Sequence, residues 1–167
     1  MLICVTNRKL CRDDFLNRVA QLAKGQPRAI ILREKDLSLE DYESLAVQVK
    51  DICDAAGVPL IVNKYITAAM KLGIPDVHVS MQDFRSHGES LHSFSRVWVS
   101  VHSADEAKEA SEAGAFALIA GHIYETDCKK GVLPRGLSFL KEVCSSVSIP
   151  VFAIGGITKD RACETAA

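Results

Sequence analysis

Short runs of apolar residues, with few polar side chains inside them, recur at intervals along the 167-residue chain. Strands that are apolar throughout, rather than on alternate residues, are buried on both faces, as in parallel sheets covered by helices. Segments with helical periodicity separate most of the runs, which is the pattern of βα units. The sequence therefore predicts an α/β fold with seven parallel strands, at residues 2–7, 29–32, 60–63, 77–79, 97–101, 116–120 and 149–154.

Several of the intervening segments carry recognisable helix boundaries. Ser38 with Asp41, and Ser103 with Glu106, resemble capping boxes at helix N-termini. Gly57 stands where a glycine would end a helix. These signals and the apolar periodicity predict helices at residues 13–25, 38–57, 66–72, 103–114, 136–147 and from 158 onward.

Two architectures contain this many parallel strands, a (β/α)8 TIM barrel and a doubly wound open sheet. Polar residues and a glycine lie at or just after the C-terminal ends of the predicted strands, which favours the barrel, because all strand ends of a barrel converge on one mouth. In an open sheet, only the residues near a topological switch point would meet. We therefore predict one barrel domain over residues 1–167. Its eighth strand is missing from the sequence, and we expect further residues to complete it. The polar residues and the glycine at the strand ends are Arg33, Lys35, Asn63, Asp83, Ser100, His122 and Gly155.

The segment 121–131, after the sixth predicted strand, is longer than the roughly 2–6 residues usual between a strand and a helix. It carries His122 directly after Gly121, and then Thr126, Lys129 and Lys130. A histidine can accept and return a proton near neutral pH. The grouping therefore suggests proton transfer beside an anion.

Charge and cysteine usage exclude several classes of protein. A formal net charge of −1 gives no support for a nucleic acid or an anionic membrane as partner. The 6 cysteines form no C-x-x-C pair, which argues against a zinc site, and without a signal peptide they indicate reduced thiols. No apolar run approaches the ~18 residues of a membrane helix. We expect a cytoplasmic protein with a small-molecule partner; a homo-oligomer stays open.

The strand-end motifs, taken in order, resemble those of the thiamine-phosphate synthase superfamily. The resemblance covers nearly the whole chain and implies the TIM-barrel fold. Its motifs are residues 32–36, Val62-Asn63, residues 77–79 with Asp83, residues 99–103, the loop 121–131, and residues 149–158 with Gly155-Gly156.

Within that superfamily the chain resembles the TenI-type thiazole tautomerases more than the synthases. Synthases usually have a proline where His122 stands, and a glutamine where Ile31 stands. They also carry an aspartate, a magnesium ligand, where Lys64 stands. Because an ammonium group replaces that carboxylate, the resemblance argues against a Mg²⁺ site and makes synthase activity the second choice.

The TenI resemblance implies an isomerase. Its reaction converts a carboxylated dihydrothiazole phosphate to the aromatic 2-carboxythiazole phosphate of thiamine biosynthesis by a proton shift. His122 would be the catalytic acid/base, and no metal or redox cofactor would be required. The substrate-binding residues that strand-end position and resemblance together indicate are Arg33, Lys35, Asn63, Ser100, Thr126, Lys129, Gly155 and Gly156.

These substrate contacts have separate grounds. Side chains alternate at a strand end, so Arg33 and Lys35 share a direction, and the matching synthase positions hold pyrophosphate. Gly155-Gly156 precedes a predicted helix, where backbone N–H groups suit a phosphate. Thr126 and Lys129 match synthase positions that contact the thiazole phosphate and the pyrophosphate, respectively.

Two other functions remain open: a thiamine-phosphate synthase and a non-catalytic TenI-type regulatory protein. His102, at the end of the fifth strand, is a second candidate for the acid/base. His78, inside a strand, is expected to be a hydrogen-bonded core residue. Cys128 is not expected to act as a nucleophile.

Overall fold

The computed structural model describes residues 1–129 and 131–166. The prediction that includes Lys130 in the anion-binding loop, and the end of the last predicted helix at Ala167, lie outside the described residues. The chain forms two compact units. The first unit comprises Met1–His78 and His87–Arg96, and the second comprises Val79–Ser86 and the chain from Val97 onward. That the chain is a single domain remains a prediction.

Strands of the first unit lie side by side in sequence order, and every pair is parallel. Leu32 is opposite Val62, and Asn63 is opposite His78. The residues that follow β2 therefore lie beside the end of β3. The strands are β1 (Ile3–Val5), β2 (Ala29–Leu32), β3 (Leu60–Asn63) and β4 (Asp76–Ser80), of which β4 runs into the second unit. The helices are α1 (Phe15–Lys24), α2 (Leu39–Ala56) and α3 (Ile66–Lys71), with a 3-10 turn at Arg8–Leu10.

Strands of the second unit repeat this arrangement. Trp98 is opposite Ala117, and Gly121 is opposite Ile154, again in parallel pairs. The strands are β5 (Arg96–Val101), β6 (Ala117–Gly121) and β7 (Val151–Ile154). The helices are α4 (Met81–Ser86) in the second unit, α5 (Gly88–Leu91) in the first, and α6 (Ala104–Glu112), α7 (Gly136–Ser146) and α8 (Ala162–Thr165) in the second.

The predicted helix caps are present. The Ser38 hydroxyl accepts a hydrogen bond from the Asp41 N–H at 3.1 Å, and Gly57 ends α2 at φ +67°. The Ser103 hydroxyl accepts from the Glu106 N–H at 3.0 Å. Glu106 does not complete a capping box, because its carboxylate accepts the N–H of His102 instead, at 2.6 Å.

All seven predicted strands are confirmed to within a few residues, and their burial explains why the apolar runs mark them. All four residues of β2 and all five of β6 are buried. Two helices were not predicted, α4 and α5, because both are short and lie in a polar stretch without an apolar pattern. The last helix is shorter than predicted. No helix in the described part of the chain is long and apolar enough to cross a membrane.

Candidate active site

The acidic residues after β2, Glu34 and Asp36, contact the segment that follows β1. Glu34 is 2% exposed and accepts hydrogen bonds from the Thr6 hydroxyl at 2.7 Å and from the Arg8 N–H at 3.0 Å. Asp36 pairs with Arg8 at 2.8 Å and with Lys9 at 3.1 Å, and the hydrogen bond from Lys9 lowers the pKa of this carboxyl. Both carboxylates are therefore engaged by the segment that follows β1.

Arg33 and Lys35 act on the same buried histidine. His78 has a pKa lowered to about 4, first by burial and then by the charges of Arg33 and Lys35. Its Nδ1 lies 3.0 Å from the Asn63 side-chain nitrogen, which donates to it because the ring is neutral at pH 7. The structure thus brings Arg33, Lys35 and Asn63 together around His78, which is bonded and buried as expected.

A tyrosine that the sequence did not single out fixes the ends of β2 and β3. The Tyr42 hydroxyl donates to the Leu32 carbonyl at 2.7 Å and accepts the Asn63 N–H at 3.2 Å. Its ring packs on that of Tyr65 with 4.2 Å between centroids. Tyr42 is fully buried on α2, so this helix sets the position of Asn63 and of the residue after Leu32.

Lys64 follows β3 with a left-handed backbone, at φ +72°. Its ammonium lies 5.9 Å from the centroid of the Tyr65 ring, and the Tyr65 hydroxyl donates to the Leu37 carbonyl at 2.7 Å. The Lys64 ammonium is thus within cation–π distance of that ring, and Tyr65 itself contacts the loop after β2 through its hydroxyl.

The donor groups of the first unit do not suit Mg²⁺, which the superfamily resemblance implies for synthases. Mg²⁺ takes oxygen ligands, commonly one or two carboxylates. The residues that follow β2 and β3 here are the cations of Arg33, Lys35 and Lys64, and the carboxylates Glu34 and Asp36 are already bound by the segment after β1. Within residues 1–129 and 131–166, no three His, Cys, Asp or Glu side chains are grouped to hold a metal ion.

In the second unit, the loop after β6 folds back over His122. The His122 ring is 4% exposed, and its Nε2 donates to the Val132 carbonyl at 3.2 Å. The Arg135 N–H in turn donates to the His122 carbonyl at 3.0 Å. Nδ1 is buried and has no hydrogen-bond partner among the described residues. Since Nε2 carries the hydrogen, Nδ1 presents a lone pair with no donor facing it.

Two glycines that follow β7 allow the backbone there to approach this loop closely. A Cβ on Gly155 would lie 2.4 Å from the Cβ of His122, and a Cβ on Gly156 would lie 2.3 Å from the Glu125 carbonyl oxygen. Both glycines have positive φ, +100° and +65°. The Tyr124 N–H donates to the Gly155 carbonyl at 2.9 Å. The structure thus brings Gly155 and Gly156 together with His122.

The other predicted residues of the second unit have distinct surroundings. Thr126 lies at the start of a 3-10 turn, Asp127–Lys129, where its carbonyl accepts the Lys129 N–H at 3.0 Å. Lys129 is exposed, and Ser100 is half-buried in β5. His102 is half-buried, and its Nδ1 donates to the Gly121 carbonyl at 2.8 Å, so the lone pair of the neutral ring is on Nε2. Cys128 is exposed.

Asp83, a further strand-end residue, lies in α4. Its carboxylate accepts a hydrogen bond from the Ser80 hydroxyl at 2.7 Å, and its N–H donates to the same hydroxyl at 3.1 Å. Asp83 therefore links the first turn of α4 to Ser80, the last residue of β4.

Comparison with known proteins gives a consistent result. The family model described as thiamine monophosphate synthase matches residues 2–167. The thiamine-phosphate synthase of Clostridium acetobutylicum is 35% identical over 164 residues, which are 96% of this chain and 78% of the relative. That of Methanobrevibacter smithii is 34% identical over 98% of this chain and 79% of its own. The structure of thiamine phosphate pyrophosphorylase from Pyrococcus furiosus has a TM-score of 0.82 at 26% identity, over 99% of this chain and 79% of that chain.

The comparison confirms the superfamily and the predicted TIM-barrel type of fold. It overturns the predicted activity. The similar proteins are named as synthases, which are transferases, so the prediction of a thiazole tautomerase, an isomerase, is wrong. The TenI assignment rested on three residues, of which one, His122, is a buried ring whose Nε2 donates to the Val132 carbonyl.

Proposed function

Because the chain belongs to the thiamine monophosphate synthase family, we propose that it is a thiamine-phosphate synthase. The reaction forms a bond between the methylene carbon of a pyrimidine diphosphate and the ring nitrogen of a thiazole phosphate. The carbon–oxygen bond to the diphosphate breaks, and diphosphate leaves with the bonding electrons. The observation that carries the proposal is the 35% identity to a thiamine-phosphate synthase over 96% of this chain and 78% of the relative.

In the first unit, Arg33 and Lys35 are proposed to bind the diphosphate. Negative charge grows on this group as it leaves, and fixed cations stabilise that charge most strongly where water is excluded. Asn63 is proposed to orient the substrate, since Tyr42 and His78 hold its backbone and side chain at 3.2 Å and 3.0 Å. His78 itself stays neutral at pH 7 and adds no proton-transfer step.

In the second unit, Gly155, Gly156 and Thr126 are proposed to hold the thiazole phosphate, with Ser100 as a further polar contact. Lys129 keeps the pyrophosphate contact that the resemblance implies. The glycines support this because side-chain-free backbone permits close approach of a ligand. The exposed ammonium of Lys129 supplies charge beside the turn that begins at Thr126. A thiazole phosphate is thereby proposed as the second substrate.

The proposal is tested by incubating the purified chain with the pyrimidine diphosphate and the thiazole phosphate, in buffer containing Mg²⁺. We expect thiamine phosphate to form, detected by its fluorescent oxidation product, with one diphosphate released for each molecule formed. Omission of either substrate should abolish both products. If the folded protein forms no thiamine phosphate above the protein-free control, the proposal fails, and a non-catalytic regulatory protein becomes the better explanation.

His122 keeps a place in the site as a substrate contact rather than as the base of a tautomerase. Its buried Nδ1 lone pair is proposed to accept a hydrogen bond from bound substrate. His122→Gln can still donate to the Val132 carbonyl but places no acceptor at the Nδ1 position. A lost hydrogen bond of about 1.5 kcal/mol predicts a fall of roughly tenfold in kcat/KM, measured in the assay above.

The matched variant for this experiment is His122→Asn, which places a polar atom near Nδ1 and gives up the bond to Val132. We expect it to keep kcat/KM closer to the parent than His122→Gln does. Equal kcat/KM in His122→Gln and the parent would remove His122 from the substrate contacts.

A further inference from the structure

A buried carboxylate separates the two basic residues that follow β2. Glu34 is 2% exposed, although a carboxylate is costly to remove from water unless it is hydrogen-bonded. Its two oxygens accept the Arg8 backbone N–H at 3.0 and 3.1 Å, and one of them also accepts the Thr6 hydroxyl at 2.7 Å. The Glu34 side chain thus binds the segment after β1, with Arg33 and Lys35 on either side of it in sequence.

The Thr6 hydroxyl joins this carboxylate to the backbone of Arg33. It donates to Glu34 and at the same time accepts the Arg33 N–H at 3.0 Å. The Thr6 N–H donates to the Ile31 carbonyl at 2.9 Å, which continues the pairing of β1 with β2. Thr6 is buried, and hydrogen bonds are electrostatically stronger in the protein interior than in water. One hydroxyl therefore couples two successive residues of the loop after β2 to the end of β1.

A second link between the same two segments is weaker. Asp36 pairs with Arg8 and with Lys9, but the side chains of Asp36 and Lys9 are 37% and 65% exposed. Exposed ion pairs contribute little because water and salt screen them, whereas hydrogen bonds to a charged acceptor are among the stronger ones. The position of the loop after β2 therefore depends more on Glu34 than on Asp36.

We propose that Glu34, together with Thr6, is a positioning residue that sets the backbone from which Arg33 and Lys35 project. The inference rests on the proposed function, in which those two residues bind the diphosphate. Glu34 acts through them and not on the ligand, since both of its oxygens are bound within the protein. A misplacement of about 1 Å can cost as much as a hundredfold in rate, so this buried pair should affect diphosphate affinity.

The test is a calorimetric titration of inorganic diphosphate into the purified chain, in buffer containing Mg²⁺. Thr6→Val keeps the shape of the side chain but removes both the donor to Glu34 and the acceptor of the Arg33 N–H. We expect the diphosphate Kd to rise about tenfold, the size of one lost hydrogen bond. Thr6→Ser keeps the hydroxyl, and its Kd should stay within twofold of the parent.

Two comparisons separate positioning from a general loss of stability. Val19→Ala opens a cavity at a buried position of α1 in the same unit, so it should lower the free energy of unfolding and leave the Kd unchanged. In an Arg33→Gln background, Thr6→Val should raise the Kd by about twofold or less, because the side chain whose backbone Thr6 holds no longer carries charge. A merely structural role would give the same factor in both backgrounds.

An unchanged Kd in Thr6→Val, or equal factors in the two backgrounds, would overturn the inference, and so would a parent chain that binds no diphosphate. Should Thr6→Val not fold, Glu34→Gln replaces it, because the amide turns an N–H toward the Arg8 N–H, and the same rise in Kd is expected. Thiamine phosphate formation with an unchanged Kd in the variants leaves the synthase standing. A selective rise in Kd without product leaves only the positioning role.

Discussion

Gly155→Ala is expected to lower the free energy of unfolding by about 2–5 kcal/mol. The new Cβ would meet the His122 Cβ at 2.4 Å and the His122 Cα at 2.9 Å, and the second contact is with backbone, which cannot rotate away. Overpacking of this kind costs about 1–3 kcal/mol. A left-handed φ of +100° adds about 1–2 kcal/mol for any residue with a Cβ. Urea unfolding followed by Trp98 fluorescence measures the loss.

Trp98 is a suitable reporter because it is the single tryptophan of the sequence. It lies in the second unit, as Gly155 does, and packs against Phe116 and Phe152. Gly114→Ala is the matched control in this unit. Gly114 also has positive φ, +88°, but a Cβ there would meet nothing within 4 Å. It should cost only about 1 kcal/mol, from backbone strain alone. Equal losses in the two variants would show that β7 does not press on the His122 loop.

The strands were predictable because each is a local feature. β2 and β6 are buried on every residue, so their sequences contain no polar interruption, and a polar residue marks where each ends. Helices α2 and α6 were predictable from their caps, Ser38 and Ser103, which act within three residues. In contrast, α4 and α5 lie where the sequence is polar and carries no apolar pattern, unlike the similarly short but largely apolar α3.

The residues of the proposed site could be singled out from the sequence only where they follow strands directly. Arg33, Lys35 and Asn63 were singled out in this way, and Glu34, between the two basic residues, is buried against Thr6. Tyr42 was missed because its two hydrogen bonds join residues 10 and 21 positions away. A signal did exist, since a tyrosine stands on the inner face of a helix, where its hydroxyl needs a partner.

The activity was predicted wrongly because a few local differences were given more weight than the chain as a whole. His122 was predicted to be the catalytic acid/base. Its burial depends on Val132 and Arg135, 10 and 13 residues further along, which no local pattern reveals. In a synthase, the basic residues after β2, Arg33 and Lys35, would have a different role from the one predicted for a tautomerase. Under the proposed function they would contact a leaving group rather than a group that does not react, so their loss should affect kcat and not only KM.

Arg33→Gln is therefore expected to lower kcat/KM for thiamine phosphate formation by about 10²–10³, mostly through kcat. This is the usual cost of removing one group that stabilises charge developing in the transition state. Glutamine keeps polarity and part of the length but has no charge for the departing diphosphate. Arg28→Gln is the matched control, because Arg28 is an exposed arginine that directly precedes the same strand at its other end. Its kcat/KM should stay within twofold of the parent.

A second measurement shows whether the Arg33→Gln variant keeps its geometry. The charge of Arg33 contributes, after burial, to the lowered pKa of His78, which is about 4. Removing a nearby cation favours the protonated ring, so the His78 pKa should rise, though burial keeps it below 6.5. Titration of the His78 ring by NMR measures this change, which Arg28→Gln should not produce. A raised His78 pKa together with unchanged kcat would place Arg33 beside His78 but exclude it from stabilising the leaving diphosphate.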